Sequence, residues 1–403
     1  MLFLVICLAF FLSFREGAAD DPEAYMTPIE LIGRWGYPAE MHEVITPDGY
    51  ILSLFRIPQG RSSQANSSCT RPAILLVHGL SAGPTEFLMN PPESCPAFIL
   101  ADAGFDVFLL NHRGTTYSKR HITLAPWDNK YWQFTIDELV KYDATAVIDK
   151  VLQLTVQNGL YWVGHSQGTT TGFMLLADHP EYNSKVKALF QLGPPGTAGR
   201  VQGVLWVGNT LYNTFKPLFD FYRLVLGSHE YAWQWSFLYR PLVRLCEIIQ
   251  YVGPICDQAP HLMFGPSTRT LNISRTPVYL SHTPSGTSTW NMLHWGQMAA
   301  RLKFEHMDHN PLENIQRYGQ ATPPLYNLSN VDVPVYIFWG TSDWLTTGYD
   351  AENLINNILR KGIAKGIPID GYNHIDFMVA TDCAHEVYNP IAEIVRSREG
   401  EMC

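Results

Sequence analysis

The amino-acid sequence predicts an α/β fold, a mostly parallel central sheet with helices on both faces, interrupted by a helical cap or lid insertion. Three observations predict it. Short apolar runs recur, several of them β-branched, and each is closed by a turn or polar residue. Stretches with apolar residues at helical spacing lie between those runs. The alternation then stops after Gly193 and resumes only towards the C-terminus. A strand buried on both faces reads as a continuous apolar run, and parallel neighbours need a crossover, usually a helix.

The elements follow in order. "AILLVHG" (Ala73–Gly79) is the first core strand and breaks at Gly79. "PAFILADAG" predicts a Pro-bounded helix feeding the second strand, "FDVFLLN" (Phe105–Asn111). "DELVKYDATAVIDKVLQLT" predicts the crossover helix to "LYWVGHS" (Leu160–Ser166), and the apolar stretch after Ser166 predicts the next helix. "KALFQLG" (Lys187–Gly193) is the fourth strand. "VPVYIFWG" (Val333–Gly340) and "KGIPIDGYNH" (Lys365–His374) complete the sheet. Between them, Trp206, Trp233, Trp235 and many Phe and Tyr residues stand among few strand signals. Residues 196–310 are therefore expected to form the helical insertion, with 20–195 and 311–403 as the two parts of the core. Aromatics commonly build a small second core; they also suit an apolar cap over a site.

Composition sets limits. The chain has 403 residues, 46% of them hydrophobic and only 16% charged, which suits a globular protein with a sizeable core. The net charge is -9 and no long basic run occurs, so no nucleic acid partner is expected. "MLFLVICLAFFLSF" is short for a membrane span and is followed by Gly17-Ala18-Ala19, so residues 1–19 read as a signal peptide cleaved before Asp20. An N-terminal anchor is the alternative. No later stretch is apolar enough to span a bilayer, so no transmembrane segment is expected in the mature chain, and the compartment is secretory. Sequons at Asn66, Asn272 and Asn327 agree with it. Six cysteines remain after Cys7 leaves, with many possible pairings; Cys246 and Cys256 are favoured by their short loop. Neither a cofactor nor a metal is expected.

Gly164-His165-Ser166-Gln167-Gly168 fits G-x-S-x-G. The pentapeptide alone is weak, because a serine in a small-residue turn looks the same. Its context decides: strand residues Leu160–Val163 lead in, and Phe173–Ala177 give the following helix an apolar face. Gly164, Gly168 and Gly172 give the clearance that a tight strand-to-helix turn demands. Ser166 is thus expected to be a nucleophile, and a hydroxyl needs a base to accept its proton. On an α/β-hydrolase fold the order is serine, acid, histidine, each at a strand's carboxyl end. Asp343 follows "VPVYIFWG" and His374 follows the last strand, so they complete the triad. Asp376 is the rival acid, only two residues from His374. His294, His306 and His309 lie in the insertion and are expected to serve local hydrogen bonds. The oxyanion is expected to bind the backbone N–H groups of Gln167 and Leu80.

Together these residues resemble the acid lipase family, which includes the gastric and lysosomal acid lipases. "GYPAEMHEVITPDGYILSLFRIP", "LLVHGL", "VGHSQGTT", "VYLSHTPSGTSTWNMLHWGQ" and "YNHIDF" carry the resemblance, from about Glu30 to Pro390. It implies hydrolysis of neutral lipid esters, triacylglycerols or cholesteryl esters, at a lipid–water interface. It implies Ser166, Asp343 and His374 as the triad, Leu80 and Gln167 as the oxyanion pair, and a movable lid. It further implies a Cys246–Cys256 disulfide in the cap, an acidic pH optimum and a secreted or lysosomal location. "LLNHRGTTYSKRH", "LGPPGTAGR" and "GTSDWLT" depart from the family's usual loops, and such loops shape the acyl pocket. Two other readings use the same residues: a lipid carrier that keeps the fold, and an acyltransferase that passes the acyl group to an alcohol.

Overall fold

Every predicted core strand forms, and each pairs as its apolar content requires. The structure, a computed structural model, describes residues 21–62, 69–203, 206, 207, 210, 214, 227–231, 261, 263–269 and 271–400. Two strands precede the first predicted one: β1 (Glu40–Ile45) and β2 (Tyr50–Ile57) form an antiparallel hairpin with Val44 opposite Leu52. Its β1 strand alternates exposed and shielded positions, so it does not read as an apolar run. Then come β3 (Ala73–Val77), β4 (Asp106–Leu109), β5 (Leu160–His165), β6 (Val186–Leu192), β7 (Val335–Gly340) and β8 (Ala364–Ile369).

The sheet runs β1-β2-β4-β3-β5-β6-β7-β8, with Arg120–His121 as a further short strand against β2. From β4 onward all neighbours are parallel. Side chains alternate across the sheet into two apolar cores. Ile74, Leu76, Tyr161 and Val163 enter one, and Leu75, Val77, Leu160 and Trp162 enter the other. Burial on both faces explains why these strands are apolar throughout.

Helices α1 (Pro96–Asp102), α2 (Thr145–Thr155) and α3 (Gln167–Asp178) supply the crossovers. The predicted helix before β5 forms in pieces, since a π-helical turn spans Leu139–Ala144 ahead of α2. That turn carries the fully buried Asp143, which accepts hydrogen bonds from Arg113 N and Nε at 2.9 and 2.8 Å. Between β6 and β7 no described residue adds a strand to this sheet. The described part of the insertion instead pairs Glu230–Tyr231 with Thr287–Ser288 and continues into α4 (Thr289–Arg301). The chain closes with α5 (Asn389–Glu399).

Several expectations lie outside the described residues: the signal peptide 1–19, Asn66, and the cap cysteines Cys246 and Cys256. Cys95 and Cys383 are buried free thiols, whereas Cys69 is disulfide-bonded. Among the described residues no helix is long and apolar enough to cross a membrane.

Candidate active site

Strand register brings the predicted site residues to one edge. Val77 of β3 lies opposite Gly164 of β5, and His165 opposite Leu192 of β6. Phe338 of β7 lies opposite Leu192, and Gly340 opposite Ile369 of β8. The loops after β3, β5, β7 and β8 therefore leave the sheet at its carboxyl edge. They carry Leu80, Ser166, Asp343 and His374.

Ser166 occupies a left-handed backbone position, φ 51° and ψ -118°, between β5 and α3. A non-glycine residue holds such a conformation only where its surroundings enforce it. The surroundings here are glycines. A Cβ on Gly164 would come 2.5 Å from the Gly168 carbonyl oxygen, and one on Gly168 would run into the Val77 carbonyl. The turn can close because neither residue has a side chain. It lifts the Ser166 hydroxyl off the end of the strand.

The three predicted triad residues meet. Ser166 Oγ is 2.8 Å from His374 Nε2, and His374 Nδ1 is 2.8 Å from Asp343 Oδ2. All three are buried, at 9%, 2% and 4% exposure, so little water competes for these contacts. The other Asp343 oxygen accepts the N–H groups of Leu345 and Thr346 at 2.7 and 2.8 Å. The acid is thus oriented from its own loop. Asp376 takes no part in this chain of contacts: it sits at a short helix and accepts the Asn373 N–H at 2.7 Å. Burial, the largest influence, raises its pKa.

The turns that carry the predicted oxyanion donors, Leu80 and Gln167, adjoin the serine. A Cβ on Gly79 would lie 3.2 Å from the Ser166 Cβ, so the loop bearing Leu80 rests against the elbow. Gln167 N–H, in the first turn of α3, has no acceptor within its helix.

Two neighbours of the site were not evident in the sequence. Glu86 is buried; its Oε1 accepts the Gly79 N–H at 3.0 Å, and its Oε2 lies 3.5 Å from His165 Nδ1. His165 Nε2 in turn lies 3.0 Å from the His374 carbonyl oxygen. Burial pulls the His165 pKa down, but the Glu86 carboxylate outweighs it and holds the imidazole above its ordinary value. Phe264, from the insertion, stacks on His374 with ring centroids 6.1 Å apart, and its carbonyl accepts Trp344 N–H at 3.2 Å and His374 N–H at 3.4 Å. Both contacts join residues far apart in the chain, which local motifs do not reveal. The insertion histidines do bind locally or bridge to helices: His294 Nε2 meets the Glu305 carbonyl at 2.8 Å, His309 Nδ1 lies 3.6 Å from Glu313, and His306 lies between Asp137 and Asp178.

The chain is similar to known proteins along most of its length. A family model described as "alpha/beta hydrolase fold" matches residues 72–381, and one described as "Partial alpha/beta-hydrolase lipase region" matches residues 28–91. Lipase lipl-1 of Caenorhabditis elegans is 37% identical over 94% of this chain and 94% of its own. Gastric triacylglycerol lipase of Bos taurus is 37% identical over 94% and 93%. Lysosomal acid lipase/cholesteryl ester hydrolase of Homo sapiens is 37% identical over 98% of each. Among solved structures, lip1 of Acinetobacter baumannii shares the fold, with TM-score 0.51 and 14% identity over 95% of this chain and 98% of that one.

Proposed function

The chain belongs to the acid lipase family of the α/β hydrolases and is a carboxylic ester hydrolase, and from that premise we propose that it cleaves neutral lipid esters through an acyl-enzyme on Ser166. Triacylglycerols and cholesteryl esters are the substrate class. The observation that carries the mechanism is the continuous Ser166–His374–Asp343 hydrogen-bond chain.

His374 Nε2 takes the Ser166 proton as Oγ attacks the ester carbonyl, while Asp343 orients the ring and balances its positive charge. The tetrahedral oxyanion is held by the N–H groups of Leu80 and Gln167. As it collapses, His374 returns the proton to the departing alcohol. Water then repeats the sequence on the acyl-enzyme and releases the fatty acid. Removing one oxyanion donor in such a site costs about 10²–10³ in turnover.

Residues 196–310 act as a cap and lid over the acyl groove. Each buried methylene of an acyl chain is worth roughly 0.8 kcal/mol, so an uncovered groove would also bind other apolar surfaces. A lid that opens at a lipid–water interface resolves that conflict. The chain works in the secretory pathway, outside the cell or in the lysosome. Glycans on Asn272 and Asn327 suit that location: each side-chain oxygen already accepts the hydroxyl of the serine two residues on, at 2.6 Å. Asn66 is the third sequon, and a Cys246–Cys256 disulfide, as the family resemblance implies, would staple the cap.

The test compares wild type with Ser166→Ala on emulsified triolein, cholesteryl oleate and a short soluble ester. Loss of all three activities in the variant supports the reading. Lipid binding without hydrolysis by either protein would make the chain a carrier.

A further inference from the structure

The motif "GTSTWNMLHWGQ" lies in the insertion, yet two of its side chains, Asn291 and Trp295, reach the residue after the nucleophile. Gln167 Oε1 accepts two hydrogen bonds, from Asn291 Nδ2 at 2.9 Å and Trp295 Nε1 at 2.8 Å. Both donors stand on the first two turns of α4, whose start is fixed by Ser288 Oγ accepting the Asn291 N–H at 3.0 Å. Asn291 Nδ2 is also 3.0 Å from Thr287 Oγ1. Gln167 and Asn291 are fully enclosed, and Trp295 is 7% exposed. On the opposite side, Ser285 N–H donates to the Ser81 carbonyl at 2.6 Å. Ser81 follows Leu80 and, like Ser166, has a left-handed backbone, φ 53°. Ser285 is itself anchored, since its Oγ accepts the Thr116 N–H at 2.9 Å.

These bonds grip the two turns that bear the oxyanion donors. Both turns hold a non-glycine residue at positive φ, a conformation that relaxes unless it is held. Two donors on one carbonyl oxygen fix the Gln167 side chain and, through its Cα, the direction of its N–H. The Ser285 bond does the same for the Leu80–Ser81 turn. We propose that Ser285, Asn291 and Trp295 are positioning residues of the oxyanion hole, so that residues 285–295 form a fixed wall of the catalytic site and stay in place when the cap moves. The proposal rests on acyl transfer through Ser166. It gives the insertion a catalytic part beyond covering the groove.

A double-mutant cycle on a soluble p-nitrophenyl ester tests it. Trp295→Phe keeps an aromatic ring and removes the donor; it should lower kcat about tenfold with KM changed less than about twofold. Asn291→Ala should act in the same way. A trifluoromethyl ketone, which forms a tetrahedral adduct on the serine, should bind more weakly in step with kcat/KM. In a Gln167→Ala background, which keeps the N–H but has no side-chain acceptor, Trp295→Phe should change kcat less than about twofold. An equal loss in both backgrounds, or a change confined to KM, overturns the proposal. If Asn291→Ala does not fold, the Trp295–Gln167 cycle decides alone. Ser166→Ala separates the two levels: if it is inactive and the cycle is additive, only the brace fails; if it stays active, the acyl-enzyme reading fails.

Discussion

His374 and His306 each face a carboxylate inside the protein, yet the second nitrogen of each ring meets opposite surroundings. His374 has Asp343 at Nδ1 and the Ser166 hydroxyl at Nε2. His306 has Asp137 at Nδ1, 3.5 Å away, and Asp178 at Nε2, 3.6 Å away. Its ring also stacks on Tyr326 at 4.0 Å, and Tyr318 and His294 pack around the same Asp137. Burial lowers the His306 pKa, but Asp137 and Asp178 outweigh it and raise it to about 9. A ring held protonated from both ends cannot accept a proton. A general base needs one carboxylate and one nitrogen left to the nucleophile, and of these two histidines His374 has that arrangement. His306 instead clasps the end of the insertion to helices of the core.

The largest effect should fall on the nucleophile and base. Ser166→Ala and His374→Ala should each lower kcat by roughly 10⁴–10⁶, measured on a soluble ester, with the fold intact by circular dichroism. Asp343→Asn should cost about 10³–10⁴, whereas Asp376→Asn should cost less than about tenfold. If the two aspartates exchanged these effects, the assignment of the acid would fail.

Smaller effects sharpen the contrast between the histidines. His306→Asn should leave kcat on a soluble ester within about threefold of wild type. Its signature lies in stability. Folding raises the His306 pKa from the ordinary 6.5 to about 9, so the folded state binds this proton more tightly than the unfolded chain. That stabilisation is fully present below pH 6.5 and is lost as pH rises through about 9. The melting temperature of His306→Asn should therefore lie below that of wild type at pH 6 and meet it near pH 10. A constant gap would refute the ion-pair account. The smallest change belongs to Glu86→Gln, which keeps an acceptor for Gly79 but removes the charge facing His165. The His165 imidazole should then titrate at a lower pH by NMR; an unaltered titration would show that Glu86 does not hold its proton.

Much of this arrangement was legible in the chain because chemistry and fold coincide at strand ends. The strands β3 to β7 announce themselves as largely apolar runs, and β8, at the sheet edge, as a weaker one holding Lys365 and Gly366; Ser166 follows β5 directly, and Asp343 and His374 lie in the loops after β7 and β8. The β1–β2 hairpin was not read as strands, since half of β1 faces outward and its shielded positions include the polar Glu40 and His42, so no apolar run marks it. Asp343 and Asp376 could be separated by position, although the hydrogen bonds from Leu345 and Thr346 that orient Asp343 could not be foreseen. Asn291 and Trp295 stood in a recognisable motif without a role, because their partner Gln167 lies 124 and 128 residues earlier. Cysteine pairing was equally closed to sequence: Cys95 and Cys383 remain thiols, and only their three-dimensional setting shows it.

The central claim is that Ser166 is the nucleophile and His374 its base. The most direct measurement is covalent labelling with a long-chain alkyl phosphonate ester, followed by mass spectrometry of the intact protein and its peptides. The account predicts one phosphonyl group per chain, on the peptide containing Ser166, with labelling slowed at least about 10³-fold in His374→Ala and unchanged in His306→Asn. A label on another residue, or full labelling of Ser166 without His374, would contradict it.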